Sequence, residues 1–307
     1  MKRGGPGLDK ARVRRAFGRA AATYDAGAVL QQEIGKRLLE RLDYVRLEPE
    51  RVLDAGCGTG IASADLMARY PRAHLVALDF ALPMLHHARQ REFRGFPGAR
   101  FLRRARLNCL CADLEQLPLA ARSVDLVVSN ATLQWSSDLA LAFAELRRVL
   151  RPGGLLMFTT FGPDTLKELR AAWAEVDDDL HVGDFTDMHD IGDLLLSSGF
   201  AEPVMDAEWF TLTYERVEAL MRDIKAIGAN QVTPPGGRGL TGKGRLAKLR
   251  EAYEYYRDGD RLPATYEVVY GHAWAPDRPA DVPRHGAGEV AIPVSAVQRG
   301  RPGREDD

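Results

Sequence analysis

The chain has 307 residues, 45% of them hydrophobic, and carries 42 Lys and Arg against 43 Asp and Glu for a formal net charge of −1. That is enough apolar material for one large domain, or one domain with a cap; it lacks the basic excess of a bulk nucleic-acid binder and any apolar run long enough to span a membrane. The basic N-terminus, MKRGGPGLDKARVRR, has no apolar segment of the secretory kind, and three cysteines build no disulfide framework, so the reducing cytoplasm is the default compartment.

Residues 9–46 read as helical, with Val29, Ile34, Leu38, Leu39, Leu42 and Val45 at helical spacing. They precede the first strand and are expected to lie outside the core fold as an extension. The core then alternates: strand 52–55, helix 60–70, strand 74–79, helix 82–91, strand 107–112, strand 124–130, helix 138–150 with RPGG as its stop, and strand 155–161. No histidine lies near Cys109 and Cys111, so no metal site is expected. This βαβα order predicts an α/β fold whose mostly parallel sheet is covered by helices on both faces. Further on come helices at 164–176 and 187–198, a strand at 203–212, the helical YERVEALMRDIKAIGA, the loop NQVTPPGGRGLTGKG, the helix RLAKLREAYEYYR and a strand at 265–274. The two late strands are expected to pair like a hairpin, with a helical lid at about 213–260 inserted before the last strand. The tail 277–307 is rich in Pro, Gly, Arg and Asp without apolar period and reads as disordered.

The segment VLDAGCGTG at 52–60 is the most informative. An apolar strand runs through Asp54 into Gly56, Cys57, Gly58 and Gly60, a helix follows, and the next strand ends at Asp79 with Phe80 after it. Glycines let a backbone turn tightly and approach a ligand, and the helix opening near Gly60 aims free N–H groups at it. An acid about twenty residues on suits two ribose hydroxyls, although Asp79 would equally cap the helix near Leu82. The GxGxG form with a preceding acid resembles the loop of class I S-adenosylmethionine (SAM) methyltransferases. That resemblance implies a Rossmann-like fold with a seven-stranded sheet and SAM as methyl donor. It divides the chain into the extension at 1–46, a methyltransferase domain at 47–276 and the tail.

Other candidates follow from position in such a fold. Asp113 would accept from the adenine amino group while the Leu114 amide meets a ring nitrogen; a solvated loop acid is the alternative. Asp125 opens a strand at the edge away from the ligand crevice and is given a structural role. Asn130, Leu133, Gln134 and Trp135 of NATLQW follow the fourth strand beside the expected methyl group, with Leu133 packing on the adenosyl group and Trp135 walling the site or merely packing on the sheet. Tyr24 either folds over the cofactor or staples a helix end. Arg238, in the glycine-rich insert with Asn230, Gln231 and Lys243, has the chemistry to grip a carboxylate. Arg12, Arg14, Arg15, Arg19, Arg245, Lys248 and Arg250 form either a basic rim for an acidic partner or ordinary solvated faces.

Six segments, DKARVRRAF with AATYD, VLDAGCGTG, LQW, FGPDTLKELR, GANQ with RGLTGK, and LPATYEVVYGHAW, together resemble the malonyl-[acyl-carrier protein] O-methyltransferases of biotin synthesis over residues 9–276. The resemblance implies methyl transfer from SAM to the free carboxylate of a malonyl thioester on its carrier protein, disguising the chain end so that it is extended toward pimeloyl thioester. A carboxylate is ionised at neutral pH and needs no general base, which accounts for the lack of an acid–base pair. Two other readings are methylation of another small acid or a quinone-like ring, and a SAM-binding assembly or hydroxylation factor of the complex I type.

Overall fold

Apolar runs in the sequence become strands buried on both faces. The computed structural model describes residues 8–92, 106–229 and 242–277. Among these, β1 (Arg51–Ala55), β2 (His74–Asp79), β3 (Leu107–Cys111), β4 (Val124–Ser129), β5 (Leu150–Phe161), β6 (Ala201–Tyr214) and β7 (Leu262–Ala275) form one seven-stranded sheet in the order β3-β2-β1-β4-β5-β7-β6. Only β7 runs antiparallel to its neighbours. Successive side chains point to opposite faces: Val52, Leu126 and Leu155 join one apolar cluster, and Leu53, Val127 and Leu156 join the other.

The helices are α1 (Lys10–Ala20), α2 (Tyr24–Gly27), α3 (Val29–Glu40), α4 (Ile61–Arg69), α5 (Leu82–Glu92), α6 (Leu139–Val149), α7 (Lys167–Ala174), α8 (Met188–Ser197), α9 (Val217–Ala226) and α10 (Lys243–Glu254). α6 and α8 cover the Leu53 face through Phe143, Leu146, Ile191 and Leu195. α3, α4, α7, α9 and α10 contribute Ile34, Leu66, Leu169, Leu220 and Leu249 to the other cluster. α9 and α10 come between β6 and β7 in the chain, as expected of the inserted helical segment.

Two expectations need correction. The N-terminal helices do not stand outside the core: Ile34 and Leu38 of α3 are almost wholly buried against the sheet, each contributing roughly 2 kcal/mol of transfer free energy. α1 is capped by Asp9, which accepts from the Arg12 amide, and buries Val13, Ala16 and Ala20. RPGG also does more than end a helix. α6 stops at Val149, but β5 starts at once with Leu150, and the register against β4 shifts between Val124 and Leu126. The Pro–Gly run is the irregular stretch of a strand.

β1 and β4 lie side by side at the centre, where the strand order reverses. Loops leaving their carboxyl ends therefore diverge and open a crevice between them.

Candidate active site

β1 delivers its glycine turn to this crevice. The Gly56 and Cys57 amides both donate to the Leu78 carbonyl at 2.8 Å, tying the turn to β2. Gly56 has φ +85°, and a Cβ there would fall 2.2 Å from Thr132, so the turn and the segment after β4 approach as only glycine permits. Gly60, at φ +81°, serves packing: its Cβ would meet Ala88 of α5 at 2.8 Å.

Two buried acids flank the turn. Asp79 accepts from the Gly58 amide at 3.0 Å and the Ala81 amide at 2.7 Å. Asp54 accepts from Ser63 Oγ at 2.5 Å. Neither pairs with a cation among the described residues. Burial pushes the Asp54 carboxyl up to about 7, against the Ser63 hydrogen bond and aided by the Asp79 charge. Burial likewise pushes Asp79 up to about 6, opposed by its two amide donors. Two amide bonds leave Asp79 free lone pairs for hydroxyl donors. A cleft faces these groups, lined by Gly56, Gly58, Asp79, Phe80, Asp113 and Asn130 among others, and continues past Tyr24 toward Asp54 and Cys57. Paired acids without a cation fit a cofactor carrying an ammonium and a sulfonium, and the glycine turn fits its close approach.

The N-terminal helices roof the cleft. Lys10 lies 2.7 Å from both Asp113 and Glu115. Phe17 stands edge-on to Trp135 with ring centroids 5.2 Å apart and tilts against Phe80 and Tyr24. Burial and the charges of Asp79 and Asp25 raise the Tyr24 phenol, so it stays protonated. Asp25 accepts from Thr59 Oγ1 at 2.5 Å and pairs with Arg91. Asn130 donates to the Gln31 carbonyl at 2.9 Å and accepts from Thr159 Oγ1 at 2.7 Å, joining α3 to β5.

A second cavity of about 470 Å³ lies beyond Trp135 and Ser136, which line both spaces. Its walls include Phe161, Leu166, Leu169, Trp173, Ile224 and Tyr266, together with the polar Asp9, Gln31, Gln134, Thr165, His181 and Asp184. Gln134 is fixed by donating to the Ala131 carbonyl at 2.7 Å.

Comparison with known proteins accords with this arrangement. Residues 53–158 match the family model described as a methyltransferase domain. A malonyl-[acyl-carrier protein] O-methyltransferase of Laribacter hongkongensis is 54% identical over 278 residues, covering 90% of this chain and 92% of that protein. One of Methylovorus sp. is 53% identical over 282 residues, with the same coverage of each. The chain belongs to the malonyl-[acyl-carrier protein] O-methyltransferase family. Among solved structures, the YcgJ protein of Bacillus subtilis is similar with a TM-score of 0.53, 14% identity, and coverage of 78% of this chain and 98% of that one. At that identity the likeness concerns the fold alone.

Within this family member, the crevice gathers Tyr24, Gly56, Gly58, Asp79, Phe80, Asp113, Leu114, Asn130 and Trp135, while Asp54 and Cys57 line its continuation. Leu133 is a correction. It is 2% exposed and packs with Leu114, Val127 and Phe143 in the core, so it does not face the cleft. Arg238, Asn230 and Gln231 lie outside the described residues. Asp125 has the structural part expected of it, accepting from the Glu50 and Arg51 amides and pairing with Arg151 at 2.7 Å. Of the expected rim, Arg15 and Lys248 are exposed, Arg12 is half-buried, and Arg245 is engaged with Asp177 and Asp179. Lys10, Phe17 and Gln31 were missed, because only the fold-back of α1 and α3 brings them to the site. Among the described residues, no helix is long and apolar enough to cross a membrane.

Proposed function

We propose that this chain transfers the methyl group of SAM to the free carboxylate of a malonyl thioester on an acyl carrier protein, giving the malonyl methyl ester that primes pimeloyl-thioester synthesis for biotin. The observation that carries the reading is the meeting of two spaces at Trp135: an acid-flanked cleft suited to a cationic cofactor and a second cavity, with an aromatic and aliphatic wall, large enough for an acyl group. The names of the relatives support the same substrate.

When bound, SAM supplies an electrophilic methyl group and a good leaving group. Asp54 and Asp79 balance its charge, Asp79 and Asp113 offer acceptors to ribose and adenine, and Phe17, Tyr24 and Trp135 exclude water. A malonate carboxylate is already ionised and needs no base, but water blunts it as a nucleophile. The apolar wall of the second cavity strips that water and aligns the oxygen with the methyl carbon. The oxygen forms the new C–O bond as the C–S bond breaks, and the electron pair of that bond stays on sulfur. Exposed Arg15 and Lys248 suit approach of an acidic carrier, and Arg238 suits the acyl carboxylate.

The test compares malonyl carrier protein, acetyl carrier protein and a catechol-like quinol as methyl acceptors. Transfer to the malonyl carrier alone is expected. Equal transfer to the acetyl carrier, or transfer to the ring alone, would overturn the reading.

A further inference from the structure

An acyl group entering the second cavity brings two acceptors, a carboxylate and a thioester carbonyl. Each gives up water on burial and needs a donor in its place. Several side-chain donors in the described lining are already engaged. Thr165 Oγ1 donates to the Glu267 carbonyl at 3.0 Å and accepts from the Glu267 amide at 3.2 Å. His181 is bound through Nε2 to Asp177 Oδ1 at 2.7 Å. Gln134 gives an amide hydrogen to the Ala131 carbonyl. Gln31, Trp135 and Ser136 belong to the part of the lining shared with the cofactor cleft. The donor that remains on the cavity's own side is Tyr266.

Tyr266 is 9% exposed, yet its hydroxyl has no hydrogen-bond partner among the described residues. Unlike the Tyr270 hydroxyl, it is not sealed off from the space around it. β7 carries the residue in register with Phe210 of β6, and its ring tilts against Phe161 with centroids 6.0 Å apart. A strand and a packed neighbour therefore hold the phenol in place. Burial pushes it well above its ordinary value, and Tyr214, Tyr253, Asp223 and Glu168 push the same way, so the hydroxyl keeps its proton and stays a donor.

Placement and charge decide which acceptor it meets. Tyr266 lines the second cavity but not the cofactor cleft or its continuation, whereas the reacting oxygen must reach the methyl group beside Trp135. The charges around the phenol are negative: Asp223 and Glu168 act on it, and Asp9 and Asp184 stand in the same lining. Another anion is disfavoured there, and a neutral carbonyl is not. We infer that the Tyr266 hydroxyl donates to the thioester carbonyl of the acyl group, leaving the carboxylate at the other end to meet the methyl group at Trp135. This rests on the function proposed above and names the residue that reads the thioester. Tyr266 moves no proton in the reaction. A malonyl group is short, so a held carbonyl restricts where its carboxylate can lie.

The experiment measures kcat/KM for two acceptors in the unaltered chain and in Tyr266→Phe, which keeps the ring and removes the hydroxyl. One acceptor is malonyl carrier protein. The other is the carrier bearing a 2-carboxyethyl thioether, in which a methylene replaces the thioester carbonyl. The SAM Kd by calorimetry is the control on folding and should stay within about twofold. Tyr266→Phe is expected to lower kcat/KM for the malonyl carrier about tenfold and to change that for the thioether by no more than about twofold. The unaltered chain should itself prefer the malonyl carrier. A loss equal for both acceptors, no loss for either, or an unaltered chain that uses the thioether as well as the thioester would overturn this inference and leave the functional reading intact. An unaltered chain that binds SAM yet methylates no malonyl thioester would overturn the functional reading and, with it, the contact assigned here.

Discussion

Asp54→Asn tests whether two buried acids receive a cationic cofactor. The folded chain holds the Asp54 carboxyl at about 7, chiefly because burial penalises its charge. A cation needs the ionised form. About one molecule in eleven is ionised at about pH 6 and about ten in eleven at about pH 8, so SAM should bind about tenfold more weakly at about pH 6 than at about pH 8. Asp79, held at about 6, adds roughly another factor of two by the same linkage. Calorimetric titration with SAM in two buffers of different ionisation heat reads both the Kd and the proton released on binding. The variant should keep only the smaller Asp79 slope and release fewer protons. A Kd in the unaltered chain that is flat from about pH 6 to about pH 8, or an equal slope in Asp54→Asn, would refute the assignment.

The same group affects folding with a sign that can be checked. Unfolded aspartate loses its proton near 3.9, whereas folded Asp54 keeps it up to about 7. Between those values the unfolded state binds fewer protons, so this carboxyl costs the cofactor-free chain stability as pH rises. Denaturant melts should show Asp54→Asn gaining on the unaltered chain from acid to neutral pH, by up to about 4 kcal/mol; a difference that shrinks with pH would contradict the burial.

Three further substitutions separate the parts of the site. Gly56→Ala adds a left-handed residue and a Cβ 2.2 Å from Thr132, so thermal melts should report a loss of about 2–5 kcal/mol with SAM binding lost, and wild-type melting would contradict it. Lys10→Met removes a partly exposed ion pair with Asp113 and Glu115, so stability should fall by no more than about 1 kcal/mol while SAM dissociates faster in stopped flow. An unchanged dissociation rate would show that α1 does not latch the cleft. Leu133→Ala should cost about 2–5 kcal/mol as a core truncation and leave the SAM Kd of the folded fraction near its original value; the converse pattern would return Leu133 to the cleft.

What could be read from the sequence was local. The turn from Asp54 to Gly60 and the acid at Asp79 lie within one strand–helix–strand unit, and its backbone requirements are written in glycines at fixed offsets. The late strands were legible because the segment from Thr265 to Trp274 is rich in β-branched and aromatic residues, and β7 pairs with β6 from Val204 to Tyr214. Leu133 failed through phase. In the short 3-10 turn Leu133–Trp135, a step of one residue separates a core side chain from two that line the second cavity. The roof failed for a different reason: Lys10 reaches Asp113 across a separation of 103 residues, and nothing local to either announces the pairing. His181 lies in an acidic stretch of sequence, and the structure stacks it on Trp173 in the wall of the second cavity.

The most direct measurement follows methyl-labelled SAM mixed with the unaltered chain and malonyl carrier protein. Label should pass to the carrier-bound acyl group and leave as methanol on treatment with base, in step with S-adenosylhomocysteine. Cofactor turnover that leaves the acyl group unlabelled, or label that survives base, would contradict an O-methyl ester as the product.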